Sequence, residues 1–386
     1  MESKFQNRDS EIETLLNPPS SLVIVYGEAG IGKTRLLREM VKKLKQGGAA
    51  GPILWVDMTQ VRSTQAQEYL LRELAEEAEG WLHGVWTEPK ADARGIVTQL
   101  KDRARRERVT LIFDNTEILQ ENGDFWRWLE LHLVGPLLAS NVRMIFAGRI
   151  PQPWRRFEVR QALTPLPLKP LKLKTASNAL IVDVLMRHNP SLSEDAQQQA
   201  VQLVNDLAFG HPHLSEEIAV YIAPRWPAED LTQFRVEICK NVVRPFIQTV
   251  FFAEIEAPWH EWLWSMSVLE WFDTTILPKY LERLTPQKVR GKPDYYFIQA
   301  IGRLRVQKRI LWREERGDCM HGVIGEIVEQ CLKVLEPERY RQANIAAAET
   351  FEDIAAQFDD DPGIQAQYEE QANMYRARAM QARREP

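Results

Sequence analysis

The stretch that most constrains this chain is Gly27-Glu28-Ala29-Gly30-Ile31-Gly32-Lys33-Thr34, which fits the pattern G-x-x-x-x-G-K-[ST]. Val23, Ile24, Val25 and Tyr26 precede it and read as a buried parallel strand. Arg35 to Leu44 follows, with apolar residues at helical spacing. A strand, a glycine loop and a helix in that order make a phosphate cradle. The glycines let backbone N–H groups turn inward without Cβ clashes. The helix N-terminus adds partial positive charge. The segment Gly27–Arg35 is therefore the candidate binding loop. Lys33 is placed to reach the β- and γ-phosphates, and the Thr34 hydroxyl to ligate Mg²⁺. The bland alternative is a glycine-rich turn that binds nothing.

A second element gives the loop its context. Val109-Thr110-Leu111-Ile112-Phe113 is a buried strand that ends on Asp114. An acid at that edge helps hold Mg²⁺ beside the loop hydroxyl. A carboxylate often follows to polarise the attacking water. This chain has Asn115 there, which can orient a water but cannot take its proton. Glu117, two positions on, is the candidate substitute, and slow hydrolysis is expected. Val142 to Gly148 reads as another buried strand with Arg149 at its tip. Strands of such a sheet end on the loop's edge, where ligands sit in open α/β folds. Arg149 is thus either a γ-phosphate sensor or a surface arginine opening a loop. Ile53–Met58 reads as a further buried strand. Ala66–Glu79, Ile96–Arg108 and Phe125–Leu138 read as helices, and Asp9 or Ser10 as the cap of a short helix near Arg8. Arg8 is either surface charge or a nucleotide contact.

The prolines at 151, 153, 165, 167 and 170 break the pattern, so the first boundary falls near Leu171. Four segments are expected: 1–171, 172–225, 226–335 and 336–386. The second is helical, with Gly210-His211-Pro212 between two helices. The third holds Trp259, Trp262, Trp264, Trp271 and Phe272, which read as core. It closes with a helix and two short strands joined by a charged turn, 314–316, ahead of His321. From Lys288 to Arg316 there are nine basic and three acidic residues. That run reads as a solvated face or as a DNA-facing wing. The last segment reads as two helices, 336–357 and 364–384, a repeat-like pair that is either a cap or the stub of an array.

Together these motifs resemble the STAND class of P-loop NTPases, the signalling ATPases related to NB-ARC and AAA+ proteins. Phe5-Gln6-Asn7-Arg8-Asp9-Ser10-Glu11 is similar to the opening hhGRExE motif, with Asn7 for glycine. Gly210-His211-Pro212 is similar to the GxP motif, whose proline packs on the base. Met320-His321-Gly322 is similar to the MHD motif, with Gly322 for the acid. The resemblance implies an α/β P-loop NTPase domain with a parallel sheet of the ASCE type. It also implies a helical lid, a winged-helix domain and a C-terminal helical hairpin after it. It implies ATP or ADP with Mg²⁺ as cofactors, Arg8 beside the adenine and ribose, Arg149 as sensor, and Pro212 and His321 on bound ADP. The function implied is a switch: closed with ADP, open after exchange for ATP, then engaging itself or a protein partner. The alternative is an AAA+-like DNA-associated ATPase that grips DNA with its winged helix.

Composition limits the rest. A chain of 386 residues exceeds one ordinary core. The net charge of −5 speaks against an overall nucleic-acid binder, so DNA is the less favoured partner. The cysteines, Cys239, Cys319 and Cys331, lack metal-type spacing and read as buried free thiols in a reducing compartment. The N-terminus is polar, and the chain has no run of 18 apolar residues. A cytoplasmic protein without a membrane partner is expected.

Overall fold

The computed structural model describes residues 8–47, 51–61, 65–78, 93–119, 122–253, 255–256, 259–306, 310–313, 317–358 and 360–382. The chain divides into two compact units, Lys4–Lys169 and Pro170–Pro386.

The first unit is built on five parallel strands: β1 (Leu22–Tyr26), β2 (Ile53–Asp57), β3 (Val109–Asp114), β4 (Val142–Gly148) and β5 (Leu163–Pro167). Their order is β2-β3-β4-β1-β5, so β4 lies between the strand of the loop and the strand of Asp114. Register aligns Tyr26 with Gly148, and Asp57 with Asp114. β3 and β4 are buried throughout, as two-sided coverage of a parallel sheet requires. Side chains alternate between the faces with period two. Leu22, Ile24, Leu111, Phe113, Met144 and Phe146 share one core with Leu70 and Leu74 of α3 (Ala66–Glu77) and Ile96 and Leu100 of α4 (Ala93–Ala104). The alternate residues Val23, Val25, Ile112, Ile145 and Ala147 join Ile12 and Leu15 of α1 (Asp9–Leu16) and Leu36, Leu37 and Met40 of α2 (Lys33–Gln46). Each such aliphatic side chain contributes about 1.5–3 kcal/mol by leaving water.

Three local expectations need correcting. α1 starts on an Arg8 cap with no side-chain cap bond, so neither Asp9 nor Ser10 caps it. α4 begins at Ala93, and its basic last turn ends at Ala104. The prolines at 165 and 167 lie inside a strand. β5 is an edge strand, and the Leu168 amide donates to the Tyr26 carbonyl at 2.7 Å. With period two, the positions of 165 and 167 face the open edge, where a missing N–H costs no ladder bond.

Among the described residues the second unit has one strand pair, the antiparallel β6 (Leu311–Arg313) and β7 (Asp318–Met320), and its other named elements are helical. Helices Asn178–His188, Glu194–Ala208 and Pro212–Ile222 come first. Ser193 caps the second through a bond from the Ala196 amide. Trp259, Trp262, Trp264 and Phe272 are buried, and Trp271 packs against the same core. The edge-on contact of Trp259 with Trp262, centroids 5.0 Å apart, belongs to that core. Helix Asp294–Val306 leads into β6, and the charged turn 314–316 lies outside the described residues. Two long helices, Pro337–Ala355 and Pro362–Ala382, follow Gly322–Leu335. Ala343, Ala347 and Ala372 are buried, and small side chains there allow close approach. Asp361 Oδ1 accepts from the amides of Gly363 and Ile364, both at 3.1 Å, and so starts the last helix. Cys239, Cys319 and Cys331 are buried free thiols. Among the described residues no helix is long and apolar enough to cross a membrane.

Candidate functional site

β1 delivers the loop and α2 closes it. Gly30 and Gly32 adopt φ values of 74° and 98°, a region that side chains disfavour. At Gly27 a Cβ would stand 2.8 Å from the Leu168 carbonyl, so glycine is required there. Glu28 and Ile31 are buried, and Ala29 and Arg35 are half-buried. Lys33, 8% exposed, donates to the carbonyls of Gly27 at 2.9 Å and Glu28 at 2.8 Å. Burial holds its ammonium below the ordinary lysine value. Nearby Glu117 opposes that shift, Arg149 adds to it, and Asp114 and Glu28 oppose it. These charges therefore surround one ammonium.

Thr34 donates its hydroxyl to Asp114 Oδ2 at 2.7 Å. Burial raises the Asp114 carboxyl above its ordinary value, against the bonds from Thr34 and from the Asn115 amide. One hydroxyl and one carboxylate at contact distance suit Mg²⁺, which keeps waters and phosphate oxygens as its other ligands. Among the described residues no cluster of three or more His, Cys, Asp or Glu could hold a metal without such help. The donors thus fit a phosphate with Mg²⁺.

Asn115 sits in the left-handed region at φ 58°, which asparagine tolerates. Its amide Nδ2 donates to Asp57 Oδ1 at 2.9 Å. Asp57 also accepts from the Thr59 amide at 2.9 Å. Glu117 faces Arg149 instead, with Oε1 3.5 Å from Nε. Glu117 Oε2 and Arg149 Nε are buried atoms with no hydrogen bond. Behind them Gln152 donates to the Thr116 hydroxyl at 2.6 Å, and Thr116 donates to the Ala147 carbonyl at 3.0 Å.

Arg8 is 6% exposed. Its Nη2 donates to the carbonyls of Ile31 at 3.2 Å and Lys169 at 2.7 Å, and Nη1 pairs with Glu11 at 3.1 Å. It ties the loop to the segment after β5. Lys33, Thr34, Asp114, Asn115, Glu117 and Arg149 therefore gather at one sheet edge, with Arg8 behind the loop. Pro212 and His321 belong to the second unit. Pro212 opens its helix after Phe209 (φ 49°) and Gly210 (φ 76°). His321 stands at the N-cap position of helix Gly322–Leu335 without a side-chain cap bond, and its amide donates to the Ile310 carbonyl at 2.8 Å.

Asp57, Thr116 and Gln152 escaped the sequence reading. Asp57 carried a usable signal, since it ends a buried apolar run as Asp114 does. Thr116 and Gln152 carried none, because their bond joins residues 36 positions apart.

A parallel sheet, a glycine loop capping a helix, and an acid bonded to the loop threonine define a P-loop nucleotide-binding domain. Residues 4–130 match the family described as the AAA ATPase domain. No curated protein matches the chain. Among solved structures it is similar to the Walker-type ATPase PABY2304 of Pyrococcus abyssi. That match has 15% identity and a TM-score of 0.56, and covers 84% of this chain and 95% of that one. It shows a shared fold. Weaker likenesses include the STAND protein PH0952 from Pyrococcus horikoshii, which has a tetratricopeptide repeat sensor (15% identity, TM-score 0.39). That match takes in 99% of this chain but 55% of the other. Cdc6p from Pyrobaculum aerophilum matches at 15% identity and a TM-score of 0.41, over 87% of this chain and 95% of that one.

Proposed function

We propose that this chain is an ATP/ADP-binding switch of the STAND type that hydrolyses ATP slowly. The observation that carries slow turnover is the Asn115–Asp57 bond. The residue after Asp114 is an amide, which cannot take a proton, and one of its N–H groups is engaged by Asp57. The other candidate, Glu117, faces a cation. In this reading Lys33 and the loop amides bind the phosphates, Thr34 and Asp114 hold Mg²⁺, and Arg149 reads the γ-phosphate. Mg²⁺ supplies charge neutralisation between the phosphate oxygens.

Segments 172–225, 226–335 and 336–386 act as lid, winged-helix domain and helical hairpin. Pro212 and His321 contact ADP in the closed state and lose it in the open state. Such a contact, present in one state only, gives the differential affinity that a ligand-driven switch needs. The open state associates with itself or a protein partner.

The basic run speaks against the DNA reading. Lys288 pairs with Glu261, Arg305 with Asp318 at 2.8 Å, and Arg303 with Glu256 at 3.8 Å. Lys292 lies 4.5 Å from the Tyr296 ring centre. Cations engaged inside the unit are less available to phosphates.

The test is to denature freshly purified protein and chromatograph the released nucleotide. Stoichiometric ADP is expected, and His321→Ala should lose it faster. An empty protein that binds duplex DNA with a steep salt dependence would overturn the switch in favour of the DNA-associated ATPase.

A further inference from the structure

The edge of the sheet opposite the glycine loop holds a cation that the nucleotide reading does not use. Arg143, the second residue of β4, is 3% exposed. Its Nη2 donates to the Leu16 carbonyl at the end of α1, at 2.7 Å. Its Nε and Nη1 are buried and have no hydrogen-bond partner. A buried guanidinium with two idle donors costs free energy unless something completes it. The Arg143 side chain is in the wall of a cavity of about 250 Å³.

Arg108, Ser20, Ser21, Ser140 and Asn141 are also in the wall. Arg108 is exposed at the rim and donates through Nε to Asn141 Oδ1 at 3.1 Å. Burial and the charge of Arg108 push the Arg143 guanidinium down to about 10. Two cations are thus held close together at a cost. The wall holds no carboxylate to offset them. The serine hydroxyls are spent on nearby carbonyls: Ser20 on Leu22 at 3.0 Å, Ser21 on Leu138 at 3.2 Å and Ser140 on Leu137 at 2.6 Å. They can turn toward a stronger acceptor, because a hydroxyl rotates freely.

We propose that this cavity is a second, independent anion site that takes a phosphate-class oxyanion. Two guanidiniums suit a dianion better than a single carboxylate. A tetrahedral ion offers oxygens to both forks at once. The volume lies below the range of drug-sized pockets and suits one phosphate group. Bound there, the ion would offset the charges of Arg143 and Arg108 and join the C-terminal end of α1, the start of β4 and the end of the α4–β3 connection. The site stands on Arg143 and Arg108 alone and does not depend on the nucleotide reading.

Full-length protein carrying Lys33→Met, which disables the glycine loop, is titrated with inorganic phosphate by calorimetry. One site per chain is expected, weakened by added sodium chloride. Adding Arg108→Ala should weaken it at least tenfold, and adding Arg143→Met should abolish it. Should the Arg143 variant fail to fold, the rim variant decides, since Arg108 is exposed. Sulfate should compete and acetate should not. Loss of all binding in Lys33→Met, an unchanged affinity in Arg108→Ala, or equal competition by acetate would each overturn the proposal.

Discussion

The bond between Asn115 and Asp57 can be tested by exchanging its ends. Asparagine and aspartate both tolerate the φ of 58° at position 115, so Asn115→Asp leaves backbone strain nearly unchanged. Asparagine can also replace Asp57 as acceptor for the Thr59 amide. What changes is the 2.9 Å amide-to-carboxylate bond. A charge-assisted bond contributes about 1.5–3 kcal/mol. Asp57 is exposed, so screening reduces the figure to about 1 kcal/mol. Asn115→Asp alone sets two carboxylates together and should cost about 1–2 kcal/mol. Asp57→Asn alone leaves a neutral bond and should cost less. The double exchange leaves one carboxylate and relieves the like-charge contact, so the cycle should show a favourable coupling of about 1 kcal/mol. Urea midpoints of nucleotide-free protein measure this, read from the transition that ADP shifts. The same single variant places an acid directly after Asp114, so turnover should rise about tenfold or more. A coupling within about 0.3 kcal/mol of zero would refute the pair. Unchanged turnover would refute the link between Asn115 and slow hydrolysis.

Four further outcomes are expected. Arg8→Lys cannot reproduce the fork that serves Ile31, Lys169 and Glu11, and should cost about 2–4 kcal/mol and weaken ADP binding, checked by urea titration and calorimetry. At Gly148 a Cβ would meet the Thr116 hydroxyl at 2.4 Å, so Gly148→Ala should cost about 1–3 kcal/mol and displace Glu117, seen as a lower urea midpoint with altered turnover. Asp114 is raised by burial, so the folded state holds its proton above the ordinary carboxylate range, and that group's stabilising contribution is lost as pH rises through the raised value. Mg²⁺ needs the carboxylate, so Mg²⁺-dependent ATP affinity should grow with pH across that window and lose its pH dependence in Asp114→Asn. The His213 imidazole is raised chiefly by its bond to Glu217, so its contribution is full below the ordinary histidine range and lost as pH rises through the raised value. Glu217→Gln should lower the His213 midpoint, followed by its ring proton resonances.

The glycine loop and Asp114 were legible because both are written in contiguous residues. An apolar run followed by a special residue reports burial on both faces and the strand tip in a few positions. The same rule applied to Ile53-Leu54-Trp55-Val56 would have marked Asp57, which the register sets beside Asp114. β5 was illegible because proline content is ambiguous until the neighbours are known. The same residues break a central strand and sit comfortably on an open edge. Arg8 and Arg149 each allowed a surface and a site reading, since composition says nothing about which carbonyl or carboxylate a guanidinium meets. The structure separates them: Arg8 is bound to two carbonyls, and Arg149 faces Glu117 beside Lys33.

Arg143 marks the limit of pattern reading. Within Val142–Gly148 it looks like a polar interruption in an apolar strand. Its neighbours Ile145 and Ala147 on the same face pack under α1 and α2, so a charge there should be costly. It is accommodated because α1 ends directly opposite and offers the Leu16 carbonyl to one of its nitrogens. A helix C-terminus favours a cation, which explains why an arginine can stand there at all. It does not explain why two further donors stay without partners in a side chain that lines a cavity with a second arginine. A strand root needs only one capping bond, and lysine would provide it with less buried polarity. The excess over that structural need is what points to a ligand.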